Sequence, residues 1–194
     1  MHNLVELTRK RRGNVTMMWV AGLPVFAIVL MFLASLVIVW MAHSNSQVAA
    51  DAGSVAATKK LDEWFQYELA LKVQEKDNIG NENDQKQDQP SVEDPFAGVW
   101  INEVAREKFV QWVVSKHEEE LTETVRDYVV RNGGNEHGVI VFPVNGRVMV
   151  QARTDFRPMM FQEEFKNTYI KGNGTGPTRY YLKWLPEKAI QIEY

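Results

Sequence analysis

The chain has no cysteine, which removes thiol catalysis, disulfide stapling and zinc sites built on thiolates. Histidine is nearly as scarce, at four residues in 194. His117 precedes three glutamates, but a zinc-binding helix needs a second histidine four residues on, and that position is Leu121. His117 therefore reads as a partly buried helix residue, and His43 and His137 have no neighbours at metal-ligand spacing. No nucleophile elbow, phosphate loop or dinucleotide fingerprint occurs. Gly172, Gly174 and Gly176 alternate, yet a phosphate cradle needs a helix N-terminus after them, and here Pro177 and a strand-like run follow. Glu163 and Glu164, beside Phe161 and Phe165, form the only acidic pair set among apolar residues, and they read as a solvated face. The expectation is a non-enzyme with no catalytic residue, no cofactor and no metal.

Positive charge is also short beyond residue 16, where 18 Lys and Arg face 24 Asp and Glu, a formal charge of −6. Backbone binding to nucleic acid needs a concentrated positive face, so nucleic acid is not an expected partner.

What the chain does have is one long apolar run. Residues 17–42 carry no charge and are rich in Leu, Ile, Val, Met, Phe and Ala, which lets a single helix satisfy its backbone inside lipid. Trp19 and Trp40 lie 21 residues apart, roughly 31 Å at ~1.5 Å per residue, and mark two interfaces of a bilayer core of about 30 Å. Gly22 and Pro24 fall in the first turns, where a proline is least disruptive. Arg9, Lys10, Arg11 and Arg12 precede the run, whereas the first basic residue after it is Lys59. The positive-inside rule then sets the N-terminus in the cytoplasm and the remainder on the far side. The run exceeds the about 7 to 15 residues of a signal-peptide core, so we read an uncleaved anchor. These six residues, the two tryptophans and the four cations, form the expected membrane anchor, with membrane lipid as partner. The expected location is a bacterial inner membrane, single-pass, with a periplasmic C-terminal domain; the absence of cysteine is compatible with that compartment.

The rest divides by composition. Residues 1–16 are a basic tail and 17–42 the span. Residues 43–57 read as a small polar spacer, and 58–76 as an amphipathic helix with Leu61, Trp64, Phe65, Glu68 and Leu71 on one stripe, capped by Thr58 and stopped by Asn78 and Gly80. Residues 77–95 hold two aliphatic residues and no aromatic, the pattern of a flexible linker. Residues 96–194 form the expected exported domain. Within it Ile101, Ala105, Phe109, Trp112, Val113, His117, Leu121, Val125, Tyr128 and Val129 fall on one helical stripe. A capping-box spacing, Ser115 to Glu118, points to a break near Ser115, and Asn132 with Gly133 and Gly134 ends the helical region.

The period then changes. Residues 138–144, Asn145-Gly146 and residues 147–156 read as strand, type I′ turn and strand, with Val139, Val141, Val148, Val150, Ala152 and Phe156 on the core face and Pro143 on a strand edge. Residues 159–170 fit helix and strand alike, the latter half favouring strand. Residues 171–177 read as an exposed glycine-rich loop, and 178–185 and 189–194 as the last strands. The fold class is therefore α+β: one N-terminal transmembrane helix, then helices packed on an antiparallel sheet of four to five strands. Aromatic residues are concentrated in the last 40 positions, and Trp64, Phe65, Phe161, Phe165, Tyr181 and Trp184 are the candidate interaction or ligand surface, set against an ordinary aromatic core.

Gly98-Val99-Trp100, and Gly146-Arg147-Val148 leading into residues 154–156, resemble motifs of the periplasmic β-domain partners of membrane-bound transcription regulators, of the ToxS and VtrC type, and of related single-pass proteins of marine bacteria. That resemblance implies a lipocalin-like barrel completed with a partner, a pattern from which the helical region 101–131 departs. In order of elements the chain also resembles the single-pass inner-membrane component of type IV secretion and conjugation machines, which implies helices before a curved sheet. The expected function is a non-catalytic, membrane-anchored interaction subunit of an envelope complex, with a protein partner in the envelope. It is either a sensor's partner or a structural component of a secretion or conjugation machine. A periplasmic ligand-binding domain for an apolar small molecule is the reading from a different class.

Overall fold

The computed structural model describes residues 12–82, 102–158 and 163–194. The fold is α+β: helices α1 (Arg12–Glu82), α2 (Glu103–Lys116) and α3 (Glu118–Arg131), strands β1 (Val139–Val144), β2 (Arg147–Asp155), β3 (Tyr169–Thr175) and β4 (Ile190–Glu193), and a 3-10 turn, Tyr181–Trp184. The sheet is antiparallel and four-stranded, in the order β3-β2-β1-β4.

The largest departure from the sequence reading is α1. Residues 43–57 are helical rather than a spacer, and the helix passes Asn78 and Gly80 to end at Glu82; residues 83–95 of the expected linker and residues 96–101 of the domain opening lie outside the described residues. Alanine is the best helix former, and this stretch holds Ala49, Ala50, Ala52, Ala56 and Ala57. Its hydroxyls bond back to their own helix, Ser46 to His43 O at 2.8 Å, Ser54 to Asp51 O at 2.8 Å and Thr58 to Ser54 O at 2.8 Å, so Thr58 is an interior residue and not a cap.

The chain forms two compact units, Met1–Ala42 with Phe156–Thr168, and His43–Asp155 with Tyr169–Tyr194. In the first, the helix is long and apolar enough to cross a membrane, with mean hydropathy 2.8 over its most apolar 18 residues. Pro24 lies within it.

The second unit begins at His43 rather than at residue 96, because its core needs the helix. Ala49, Ala50, Ala57, Leu61, Trp64 and Phe65 of α1 are buried together with Phe109, Val113, Leu121, Val125, Ile140, Phe142, Val150 and Leu182. β3 is the reason the helix residues are small. A Cβ on Gly172 would stand 2.3 Å from the Ser46 carbonyl carbon, one on Gly174 would stand 2.2 Å from that of Ala50, and one on Gly176 would meet Thr58 Oγ1 at 2.2 Å. Strand and helix thus approach backbone to backbone, and the alternating glycines, read as an exposed loop, are the contact face of a strand.

α2 opens with Asn102, whose Oδ1 accepts the Val104 N–H at 3.0 Å. The break falls at His117, two residues beyond the expected Ser115, and no side chain caps α3 there. Glu118, Glu119 and Glu120 do occupy the first turn, where the helix dipole favours them. α3 ends in a Schellman arrangement, with Gly133 at φ 85° and the Gly134 N–H on Val129 O at 2.9 Å. Of the expected stripe, Ala105, Phe109, Val113, Leu121, Val125 and Val129 are buried, while Tyr128 is exposed.

The hairpin forms as read, with Asn145 at φ 52° and Gly146 at φ 69° in its turn. Its core face differs on β1. Val144 pairs with Arg147, but Val141 pairs with Met149, so β1 carries one extra residue at Phe142-Pro143. A bulge reverses the faces beyond it. Ile140 and Phe142 are fully buried and join the core with Val148, Val150 and Ala152, whereas Val141 is buried outside that cluster and Val139 is half-buried; Phe156 lies past the end of β2. Pro143, joined by a cis bond to Phe142, sits at this irregularity and not on an edge strand, since β1 lies between β2 and β4. Residues 178–185 hold the 3-10 turn instead of a strand, which buries Tyr181 and Leu182. β3 begins only at Tyr169, after turns at residues 163–167.

Candidate functional site

Ionisable and aromatic side chains meet where the second half of α1 faces the α2–α3 corner and the 3-10 turn. Glu68 lies on the core-facing stripe of α1, and only 2% of it is exposed. Its Oε1 accepts from Lys116 Nζ at 2.6 Å and stands 3.2 Å from His117 Nε2. The Trp64 ring stacks on the imidazole at 4.6 Å and 6°. Glu120 Oε2 lies 4.0 Å from His117 Nδ1, and Lys60 reaches Glu120 at 3.0 Å. Burial alone would raise the Glu68 pKa, but the hydrogen bonds and charges of Lys116 and His117 outweigh it and hold the carboxyl below its ordinary range. The break between α2 and α3 is what makes this possible, because it brings the adjacent residues Lys116 and His117 onto one carboxylate.

Six residues earlier on the helix, Asp62 is gripped by Arg179, whose Nε lies 2.7 Å from both carboxylate oxygens and whose Nη2 lies 2.6 Å from Oδ2. The Tyr181 hydroxyl donates to Asp62 Oδ1 at 2.8 Å. Burial, and then the bond to Asp62, drive the Tyr181 pKa far above its ordinary value, so this phenol is a fixed donor. Asp62 raises the pKa of Arg179 in turn. Burial also pushes Tyr194 up to about 12.

The candidate aromatic residues divide three ways. Trp64, Phe65 and Tyr181 are buried. Phe65 stacks on Tyr181 at 4.3 Å and 12°, with Trp184, half-buried, at 5.8 Å and Phe109 edge-on at 5.6 Å. Phe165 is 39% exposed and belongs to the first unit, and Phe161 lies outside the described residues. Of the anchor residues, Trp19 and Trp40 are 74% and 73% exposed; Arg9, Lys10 and Arg11 lie outside the described residues, and Arg12 is the first residue of α1. The sequence reading missed Glu68, Lys116, Asp62 and Arg179. Glu68 had a signal, a carboxylate on an otherwise apolar stripe; Asp62 and Arg179 are 117 residues apart and had none.

His117 oriented by a buried carboxylate is half of an acid–base arrangement. Its neighbours form an ion cluster: Glu68 is shared with Lys116, Trp64 covers one ring face, and the second nitrogen looks toward Glu120. No group of three or more metal-ligating side chains occurs among the described residues.

A groove of about 550 Å³ runs along the opposite side of α1, walled by Val48, Asp51, Ala52, Val55 and Lys59 and by Tyr128 of α3. Val48, Val55 and Tyr128 are 52%, 54% and 44% exposed, an apolar strip between an acid and a base.

Comparison with protein families, with curated proteins and with solved structures finds no match.

Proposed function

We propose that the protein is a non-catalytic, membrane-anchored interaction subunit of a bacterial envelope complex, with residues 17–42 as its span, its N-terminus in the cytoplasm and its folded unit in the periplasm. The observation that carries this reading is α1 itself. Its exposed apolar residues, Trp19, Leu23, Phe26, Leu30, Leu33 and Val37 among them, need a lipid phase, while Ala49, Leu61 and Phe65 of the same helix are core residues of the folded unit. The helix that would span the lipid thus also supplies core residues to the folded unit. The basic residues ahead of the span support the orientation.

The sensor-partner version expects a closed, apolar-lined pocket and a one-to-one complex, the structural-component version self-association through an exposed face of the sheet or helices. An open four-stranded sheet is compatible with both, since a barrel completed with a partner is open in one chain. The aromatic residues that would line an apolar ligand pocket, Phe65, Tyr181 and Trp184, pack on one another instead. Edge strands β3 and β4 and the groove along α1 are the surfaces such a component has available. Co-purification from membranes with mass spectrometry tests the proposal. A stoichiometric envelope protein, or further copies of this chain, is the expected yield; a monomer recovered alone that turns over a substrate overturns it.

A further inference from the structure

We propose that the β2–β3 connection, through its residues 156–158 and 163–168, is a second membrane contact, resting on the lipid interface beside Trp40; the inference depends on residues 17–42 being a bilayer span. Along β3 and the residue that follows it, residue numbers and helix partners fall together: Gly176 faces Thr58, Gly174 faces Ala50 and Gly172 faces Ser46. β3 therefore starts at the end of that contact nearest the apolar half of α1. The connection that feeds it, Phe156–Thr168, belongs to one compact unit with the helix up to Ala42.

The segment is built to hold an aromatic outward. Its neck is closed by the Phe156 N–H on Thr168 O at 3.0 Å, and the Thr168 N–H bonds to Phe165 O at 3.0 Å. Phe165 leans edge-on against Phe156 at 5.5 Å and 77°, yet 39% of it stays exposed. Lys166 beside it is exposed as well, as are Arg157 and, on the other side of the ring in sequence, Glu163 and Glu164. A phenyl ring with Lys166 next to it suits the headgroup region, where the ring enters the acyl boundary and the ammonium reaches phosphate while Glu163 and Glu164 stay in water. The occupant is a phospholipid surface and not a second protein because this segment shares its unit with the apolar helix that ends at the interface marker Trp40.

The absence of cysteine makes the test direct. Single-cysteine variants of the full chain, Leu30→Cys, Phe165→Cys, Lys166→Cys and Lys183→Cys, would be spin-labelled and reconstituted in nanodiscs of phosphatidylethanolamine and phosphatidylglycerol. Collision with oxygen would then be compared with collision with a water-soluble nickel chelate. The expected result is an oxygen preference at residues 30 and 165 several-fold above that at residue 183. Lys166→Cys serves as the second reporter if Phe165→Cys fails to fold. A label at residue 30 in lipid with labels at 165 and 166 as water-exposed as that at 183 overturns the inference and leaves the anchor standing. Water access at residue 30 removes the anchor reading and the inference with it. A label at 165 shielded from both reagents marks a protein contact and also overturns it.

Discussion

Two stretches of one helix solve the same packing problem in opposite ways. Residues 46–58 of α1 present Ser46, Ala50, Ser54 and Thr58 to Gly172 and Gly174 of β3 and to Gly176 just after it, so the contact consists of backbone atoms and the small Thr58 side chain with almost nothing between them. Residues 61–68 present Leu61, Trp64, Phe65 and Glu68 to α2, α3 and the 3-10 turn, where bulk and charge fill a wide gap. The first contact is specified by missing atoms and tolerates no addition. The second is specified by large side chains and tolerates no removal.

That contrast is testable by substitution, with stability followed by denaturant unfolding of the full chain in detergent. The largest effect belongs to Phe65→Ala, which deletes the ring stacked on Tyr181 and is expected to cost about 4 kcal/mol. A loss below about 1 kcal/mol would show that the aromatic end is not the core it resembles. Gly174→Ala should follow at about 3 kcal/mol, since its new methyl meets the Ala50 carbonyl carbon and the Asp51 nitrogen at 2.2 Å. Adding Ala50→Gly should give no rescue, because those atoms are backbone; recovery of stability in the double variant would break the comparison.

Glu68→Gln comes third, at about 2 kcal/mol for the charged hydrogen bonds lost at neutral pH. The acid limb carries a second prediction. The folded-state pKa of Glu68 lies below the ordinary 4.5, so its stabilisation is complete above that value and fades as the pH falls through the lower, folded value. The wild type should therefore lose more stability on acidification than the glutamine variant, and parallel acid profiles would remove Glu68 from the account. Smallest is Gly22→Ala, in the apolar half of α1, where nothing lies within 4 Å of the added carbon and the folded unit should not respond at all. A destabilised folded unit in that variant would mean that the glycine makes a contact absent from the monomer.

Much of the fold was legible in local pattern. The hairpin was announced by Asn145-Gly146 between β-rich runs, and the end of α3 by Asn132-Gly133-Gly134, because both depend on φ values that few residues adopt. The break at His117 was visible to within two residues. The core face of β1 was not, since one extra residue at Phe142-Pro143 reverses the alternation and no local signal announces its register. The glycines of β3 misled for a related reason. Read alone, alternating glycine means a loop; read against a helix of Ser and Ala, it means contact.

The sequence by itself determined that residues 17–42 are apolar enough for a bilayer, that thiol chemistry is excluded, and that helices precede an antiparallel sheet, because composition and period act over neighbouring residues. Only the tertiary structure decided that residues 43–57 are core helix, that Glu68 takes both Lys116 and His117, and that Asp62 binds Arg179 and Tyr181 across more than a hundred residues. These are contacts between distant segments, and their partners are chosen by the shape of the space left between elements, which exists only once the chain has folded.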